Sequence, residues 1–402
     1  MNNILILTNS IGGLHSFRKE VVKAIVDAGY EVTISAPYDE KRHYFEEIGC
    51  RLIDTQFNRK GTNPLKDFGL MLYYRRLLKQ EKPDVVLSYT IKPNLYGGMA
   101  CGLCRVPQLA NITGLGSAVE NPGWLQRLTI VLYKIGLRKA HTVFFQNRAN
   151  MEFCKEHKMV RGQVRLIPGS GVNLEYHSLQ PYPAETEPVR FVFISRLLRE
   201  KGIEEYLGAA ERIKEKYPET EFHILGACEE AYGSRLKELQ DKGIVIYHGQ
   251  QPDVRPFIAS SHCTVHPSFY PEGMSNVLLE SCAAGRPIIT TNRPGCGEIV
   301  DDGVNGFVVR QQDTADLVEK IERFIGLSWE QKRDLGVAAR KKVEREFDRE
   351  IVVKVYLDEI RKTMDEGRKR VVAQRTGGGR ISLEFRVQSL ERGLLSERRV
   401  AA

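Results

Sequence analysis

The chain has 402 residues, and what it lacks narrows its class before any motif is read. No apolar run approaches the roughly 18 residues that a membrane-spanning helix needs. The N-terminus offers only Ile4 to Leu7 as an apolar stretch, with no basic residue before it, so it reads as a first strand and not as a signal peptide. Cysteine is sparse: eight residues without regular spacing read as reduced cytosolic thiols. Cys101 and Cys104 form the one C-x-x-C, with no second pair and no neighbouring His. They read as small packing residues on one helix face, not as a zinc or redox site. No G-x-G-x-x-G follows the first strand, which disfavours a Rossmann dehydrogenase. The basic excess comes with no groove-reading motif, which disfavours a nucleic-acid partner.

The composition is that of a globular protein, with 42% hydrophobic and 27% charged residues. At roughly 150 residues per domain, two or three domains are expected. The net charge of +8 is unevenly divided. Residues 1–180 carry 24 basic and 15 acidic side chains, net +9; residues 181–362 carry 26 and 31, net −5; residues 363–402 carry 9 and 5, net +4. One half is thereby marked to face an anionic partner.

Apolar runs and amphipathic segments alternate from the start. NILILTN is a strand, SIGGLHS a Gly-containing loop, FRKEVVKAIVDAG a helix and YEVTISAP a strand. This β-α-β rhythm implies a parallel sheet and continues to about residue 167. Residues 168–189, rich in Pro, Gly and Ser, break it and read as an inter-domain linker. It resumes over 190–345, with a closing helix expected at 346–362. The fold class is therefore α/β, with two doubly wound Rossmann-like domains. The tail 363–402, with GRKR and TGGGR and no strand-forming run, reads as disordered.

The richest segment is HPSFYPEGMSNVLLESCAAGRPIITTNRPGCGEIVDDGVNGFVV, residues 266–309. Glu272 and Glu280 stand with seven residues between them, the first in a loop after a strand and the second inside the next helix. That helix starts near Ser275, and helix N-termini present free N–H groups and about half a positive charge to an anion. Gly273 and Gly295 allow close backbone approach. Glu280 is placed to meet ribose hydroxyls, and Glu272, at the loop mouth, to accept from sugar hydroxyls. In FISRLLREKGIEEYL, residues 193–207, Arg196 ends a strand and Lys201 precedes a helix, with Gly202 freeing the backbone between. Cations there would stabilise a departing diphosphate more than the ground state. Arg199 and Glu200 read as a solvated turn.

These segments resemble the family-4 retaining glycosyltransferases of the GT-B fold, across about residues 1–362 and most sharply over 190–309. TGLGSAVE at 113–120 and NRPGCGE at 292–298 resemble the bacterial undecaprenyl-diphosphate-linked galactosaminyl- and galactosyl-type transferases of capsule, O-antigen or glycan biosynthesis. The resemblance implies that Arg196 and Lys201 hold the donor diphosphate, that Glu272 contacts the donor sugar and Glu280 the ribose, and that Gly249 lies near the base. Donor choice would rest on side chains around Glu272, Met274 and Ser275. Gly295, Cys296 and Gly297 would form a turn facing the donor, and Gly12 and Gly13 a first-domain loop facing the cleft. It implies UDP-sugar as substrate. No cofactor or metal is expected: no Asp-x-Asp occurs, which argues against a metal-dependent GT-A enzyme, and the cationic pair can replace a metal's charge. Family members often place a His in the first domain near the reacting sugar. Here SYTIKPN and ANITGLGS carry none, so Lys92, Asn111 or Thr113 would occupy that space, with His15 a candidate substitute.

The acceptor, a lipid-linked saccharide by the same resemblance, should meet the basic first domain. PLKDFGLMLYYRRLLKQEK sets Leu70, Met71, Tyr73 and Tyr74 beside Lys66, Arg75, Arg76 and Lys79. WLQRLTIVLYKIGLRKA sets Trp124, Leu128, Ile130, Val131, Leu132 and Tyr133 beside Arg127, Lys134, Arg138 and Lys139. Two readings stand: an anionic bilayer surface engaged by a peripheral protein on the inner face of the cytoplasmic membrane, or apolar faces packed on the sheet with solvated charges. Two other functions remain open: a GT-B-like nucleotide-sugar epimerase, and a non-catalytic nucleotide-sugar-binding subunit.

Overall fold

The computed structural model describes residues 2–55, 64–116, 119, 122–228 and 230–369. Ser117, Ala118 and Glu120 of the TGLGSAVE stretch, and the tail from residue 370, lie outside them. Met1–Val355 form one compact unit that holds both sheets. Tyr356–Ala402 form a second, helical through residue 369.

The first sheet comprises β1 (Asn3–Leu7), β2 (Glu31–Ala36), β3 (Arg51–Asp54), β4 (Val85–Tyr89), β5 (Gln108–Ile112), β6 (Thr142–Phe145) and β7 (Gln163–Leu166), in the order β3-β2-β1-β4-β5-β6-β7. The second comprises β8 (Arg190–Ile194), β9 (Glu221–Leu225), β10 (Ile246–Tyr247), β11 (Cys263–His266), β12 (Ile288–Thr291) and β13 (Gly306–Val309), in the order β10-β9-β8-β11-β12-β13. Every pairing is parallel. The central strands β4, β5 and β6 are buried throughout, which is why β4 and β6 read as nearly continuous apolar runs and not as alternation, while β5 also buries Gln108 and Asn111. In each sheet the strand order reverses once, between β1 and β4 and between β8 and β11. At such a reversal the flanking loops diverge and open a crevice at the carboxyl ends of the strands.

The structure corrects three local expectations. The first helix begins at Ile11, so Gly12, Gly13 and His15 sit in it and not in a loop. Ser10 explains this: its hydroxyl accepts from Gly13 N at 3.0 Å, an N-cap that starts the helix a turn and a half early. The edge strand β7 is half exposed and shows no apolar run, so periodicity alone does not reveal it. Arg148–Glu156 forms a further helix, capped by Asn147, whose side chain accepts from Asn150 N at 2.8 Å.

The two basic-aromatic helices divide their apolar residues differently. In Pro64–Glu81, Leu70, Tyr74, Leu77 and Leu78 are buried, while Phe68 and Leu72 are exposed. In Trp124–Gly136, Ile130 and Tyr133 pack inward, while Trp124, Leu128, Val131 and Ile135 are exposed. Positions 124, 128, 131 and 135 fall on one helix face, with Arg127, Lys134, Arg138 and Lys139 exposed around them.

The Pro- and Gly-rich connection is strapped to the second sheet's layer. Arg286, with no exposed surface, donates to the carbonyls of Gln180, Pro181, Ala259, Ala284 and Gly285 at 2.5–3.3 Å. Tyr182 OH donates to His262 O at 2.9 Å, and Trp329 Nε1 to Pro183 O at 2.8 Å. Arg286→Met keeps the stem but leaves buried carbonyls without a donor. It should cost about 3 kcal/mol and lower the thermal midpoint by several degrees; an unchanged midpoint in scanning fluorimetry would show that the strap is dispensable.

Candidate functional site

The two crevices face each other and enclose a cavity of about 530 Å³. The first sheet supplies its lining from the loops after β1 (Thr8, Asn9, Ser10), β4 (Thr90, Ile91, Lys92) and β5 (Thr113, Gly114, Gly116), and the second supplies Lys201 and the stretch Tyr270 to Met274. Lys201 follows β8 and Glu272 follows β11, the two strands that flank the reversal in the second sheet. Residues remote in sequence meet because both loops spring from that one point.

Lys201 and Glu272 form an ion pair whose side chains are 11% and 13% exposed, so neither charge is well hydrated. Burial, with the nearby Arg196 charge, lowers the Lys201 ammonium to about 8. Tyr270 lies under both cations, 4.5 Å from Lys201 Nζ and 5.8 Å from the Arg196 guanidinium carbon. The close approach of the Lys201 loop depends on Gly202. Its φ is +81°, and a Cβ there would collide with the Pro267 carbonyl.

The Glu272 loop is held from the opposite side of the cleft. Asn147 Nδ2 donates to Glu272 O at 3.1 Å and Gly273 O at 2.7 Å. A Cβ on Gly273 would collide with Gln146 and stand 2.5 Å from Thr113 O. On the other flank Ser275 N donates to Gly295 O at 2.8 Å, and Gly295 N donates to Glu298 Oε2 at 2.7 Å. Ser275 occupies the N-cap of the helix Asn276–Ala283, but its buried hydroxyl makes no capping bond. The first turn therefore lacks the usual side-chain acceptor, a condition that favours an anionic ligand.

The cavity gathers Lys201, Glu272, Gly273 and Met274 with Gly13, Lys92 and Thr113. Lys92 is tied down by Asp67 at 2.8 Å, whose other oxygen accepts from Tyr96 OH at 3.0 Å. The remaining candidates lie off its lining. Asn111 is buried beneath it, donating to Ser88 O at 3.0 Å. Gly12 N donates to Asp39 Oδ2 at 2.8 Å, and the His15 ring packs edge-on against Tyr44 at 5.1 Å. Glu280 is one helical turn below Asn276, 4.0 Å from His177 Nε2, and burial raises its carboxyl to about 7. Cys296 is fully buried, its thiol pushed up to about 11, and Gly297 N donates to Arg293 O at 2.8 Å. Gly249 accepts from Gly226 N at 2.9 Å near the end of β10.

Sequence reasoning missed Thr90, Tyr270 and Asn147. Thr90 lines the cavity at φ +72°, rare for a β-branched residue, and nothing in SYTIKPN signals it. Asn147 was within reach, since Asn between a strand and a helix is an N-cap signal. Among the described residues, no three His, Cys, Asp or Glu side chains gather as a metal site would require.

Comparison with known proteins places this arrangement. Residues 178–342 match the family model "Glycosyl transferases group 1" and residues 4–147 match "Glycosyl transferase 4-like". The chain is 26% identical over 370 residues to the N,N'-diacetylbacillosaminyl-diphospho-undecaprenol alpha-1,3-N-acetylgalactosaminyltransferase of Campylobacter jejuni, covering 87% of this chain and 96% of that one. It is 24% identical to the capsular polysaccharide biosynthesis glycosyltransferase CapM of Staphylococcus aureus, covering 72% of this chain and 81% of CapM. Anabaena HepE, solved in complex with UDP and glucose, superposes with a TM-score of 0.73 at 18% identity, over 90% of this chain and all of that one. With two facing parallel sheets, the first matched by a glycosyltransferase 4-like model and the second by the group 1 model, the chain belongs to the group 1 glycosyltransferases of the GT-B fold.

Proposed function

We propose that the enzyme transfers a hexose or N-acetylhexosamine from a UDP-sugar, with retention of configuration, to a saccharide carried on undecaprenyl diphosphate, in polysaccharide or glycan biosynthesis. The observation that carries this reading is the buried Lys201–Glu272 pair beside Arg196, facing a helix N-terminus whose cap residue offers no side-chain acceptor. Lys201 and Arg196 take the donor diphosphate, Glu272 orients the sugar through its hydroxyls, and Glu280 contacts the ribose. The anomeric C–O bond to UDP breaks as a bond forms from the acceptor oxygen on the same face. The acceptor's proton passes to the leaving phosphate, and UDP departs. Cations already on the diphosphate when the bond breaks oppose the charge growing on that phosphate, so they act on the transition state and stand in for a metal. UDP is supported by the HepE complexes, solved with UDP and with UDP-glucose. The lipid carrier is supported by the Campylobacter relative, named for a diphospho-undecaprenol-linked sugar.

The acceptor's carrier implies a bilayer, and no helix among the described residues is long and apolar enough to cross one. Docking then falls to the helix Trp124–Gly136, whose exposed face combines Trp124, Leu128, Val131 and Ile135 with Arg127 and Lys134, and to Arg138 and Lys139 in the turn after it. Its charge complements the anionic inner leaflet.

Two experiments test these readings. With a polyprenyl-diphosphate-linked sugar and a panel of UDP- and GDP-sugars, mass spectrometry should find UDP released from at least one donor. Glu272→Ala should cut turnover by about 100-fold or more with the fold intact; release from no donor refutes the reading. In co-sedimentation, the protein should pellet with phosphatidylglycerol vesicles at low salt and be freed by high salt, and Trp124→Ser with Ile135→Ser should weaken binding at all salts. Indifference to lipid charge and to salt would remove the docking proposal.

A further inference from the structure

His266 ends β11, beside Glu272 on the inner side of the cavity wall. It is 2% exposed, and neither ring nitrogen has a hydrogen-bond partner. A polar side chain left unpaired in a dry interior is an exception that needs a reason, and its neighbourhood could have taken an apolar residue: the Phe193 ring lies 6.2 Å away and Val265 precedes it in the core. Its backbone is fixed, since His266 O accepts from Thr290 Oγ1 at 2.7 Å and the residue pairs with β12. From that rigid mount its Nε2 points at Glu272 Oε1, 4.0 Å away. Burial, followed by the charge on Lys201, lowers the imidazole to about 3, so it is neutral and carries one N–H.

We infer that His266 is a positioning residue for Glu272, donating from Nε2 to its carboxylate once the donor substrate draws Lys201 away. This rests on the proposed role of Lys201 as a diphosphate ligand. Glu272 Oε1 contacts Lys201 in the free enzyme. A diphosphate carries more negative charge than one carboxylate and competes for that ammonium. Glu272 then stands beside an anion with its cation turned elsewhere, and a neutral donor can hold it without taking charge from the diphosphate. A shift of about 1 Å brings the 4.0 Å contact into hydrogen-bond range, the kind of tightening expected between a free site and its substrate complex. The carboxylate is then held toward the sugar hydroxyls by a strand-end donor in addition to the clasps on its own loop.

The test compares His266→Leu, which fills the space without a donor, with His266→Gln, whose amide can still donate, using the UDP-sugar that the wild-type protein turns over. His266→Leu should lower kcat by about 30-fold or more with donor KM within about 3-fold, and His266→Gln should stay within about 5-fold of wild type. In a Glu272→Gln background, His266→Leu should add little, because the group that it positions is gone. If the leucine variant does not fold, His266→Met serves in its place. A wild-type kcat for the leucine variant, a glutamine variant as poor as leucine, or an undiminished loss in the Glu272→Gln background overturns the inference. Failure of the wild-type protein to turn over any UDP-sugar would instead refute the underlying function.

Discussion

The side-chain amide of Asn147 crosses the cleft to the carbonyls of Glu272 and Gly273, and the placing of the reactive loop depends on that clasp. Asn147 is itself held, because its oxygen caps the helix that follows β6. One residue thus follows a strand of the first sheet, starts a helix there and fixes a loop of the second sheet. Gly273 must be glycine for the two halves to come so close to Thr113 and Gln146. On its far side the loop is closed by the bond from Ser275 N to Gly295 O. A carboxylate carried on a loop held from both sides can be pre-aimed, which is what stabilising a short-lived charge distribution requires.

The electrostatics follow from burial and not from total charge. The second half carries net −5 over residues 181–362, yet the cavity wall that it supplies presents Lys201 beside one glutamate, with Arg196 also over the Tyr270 ring. Where water is excluded, a single fixed cation outweighs many solvated carboxylates on the outer surface, because the effective dielectric is lower and screening weaker. The first half's +9 is of the other kind. Much of it stands on exposed helix faces such as that of Trp124–Gly136, where it can act only on a large and diffuse anionic partner.

Much of the fold was legible because parallel strands buried on both faces are mainly apolar, as β1, β4 and β6 are, while β5 buries Gln108 and Asn111 with hydrogen-bond partners. Elements that escaped lack that signature. β7 is a half-exposed edge, and the first helix gained its early turn from one serine hydroxyl. Within the site, Lys201 and Glu272 were legible as charged residues just beyond strand ends. Thr90 and Tyr270 were not, since their importance lies in what they face. His15 was readable as a polar residue near a strand end, but the extra helical turn directs its ring onto Tyr44.

The order of strands and helices, the two runs of alternating strand and helix, and the charged residues after the strands were set by the sequence itself, since each depends on local periodicity and on the chemistry of single side chains. Which loops would meet was decided only by the tertiary structure. The strand-order reversals, β1 to β4 and β8 to β11, are a property of the whole sheet, and they choose the loops that share a crevice. The reversal in the second sheet pairs Lys201 with Glu272 and puts His266 behind them, and the apposition of the two crevices leaves Gly12, His15 and Asn111 off the cavity wall.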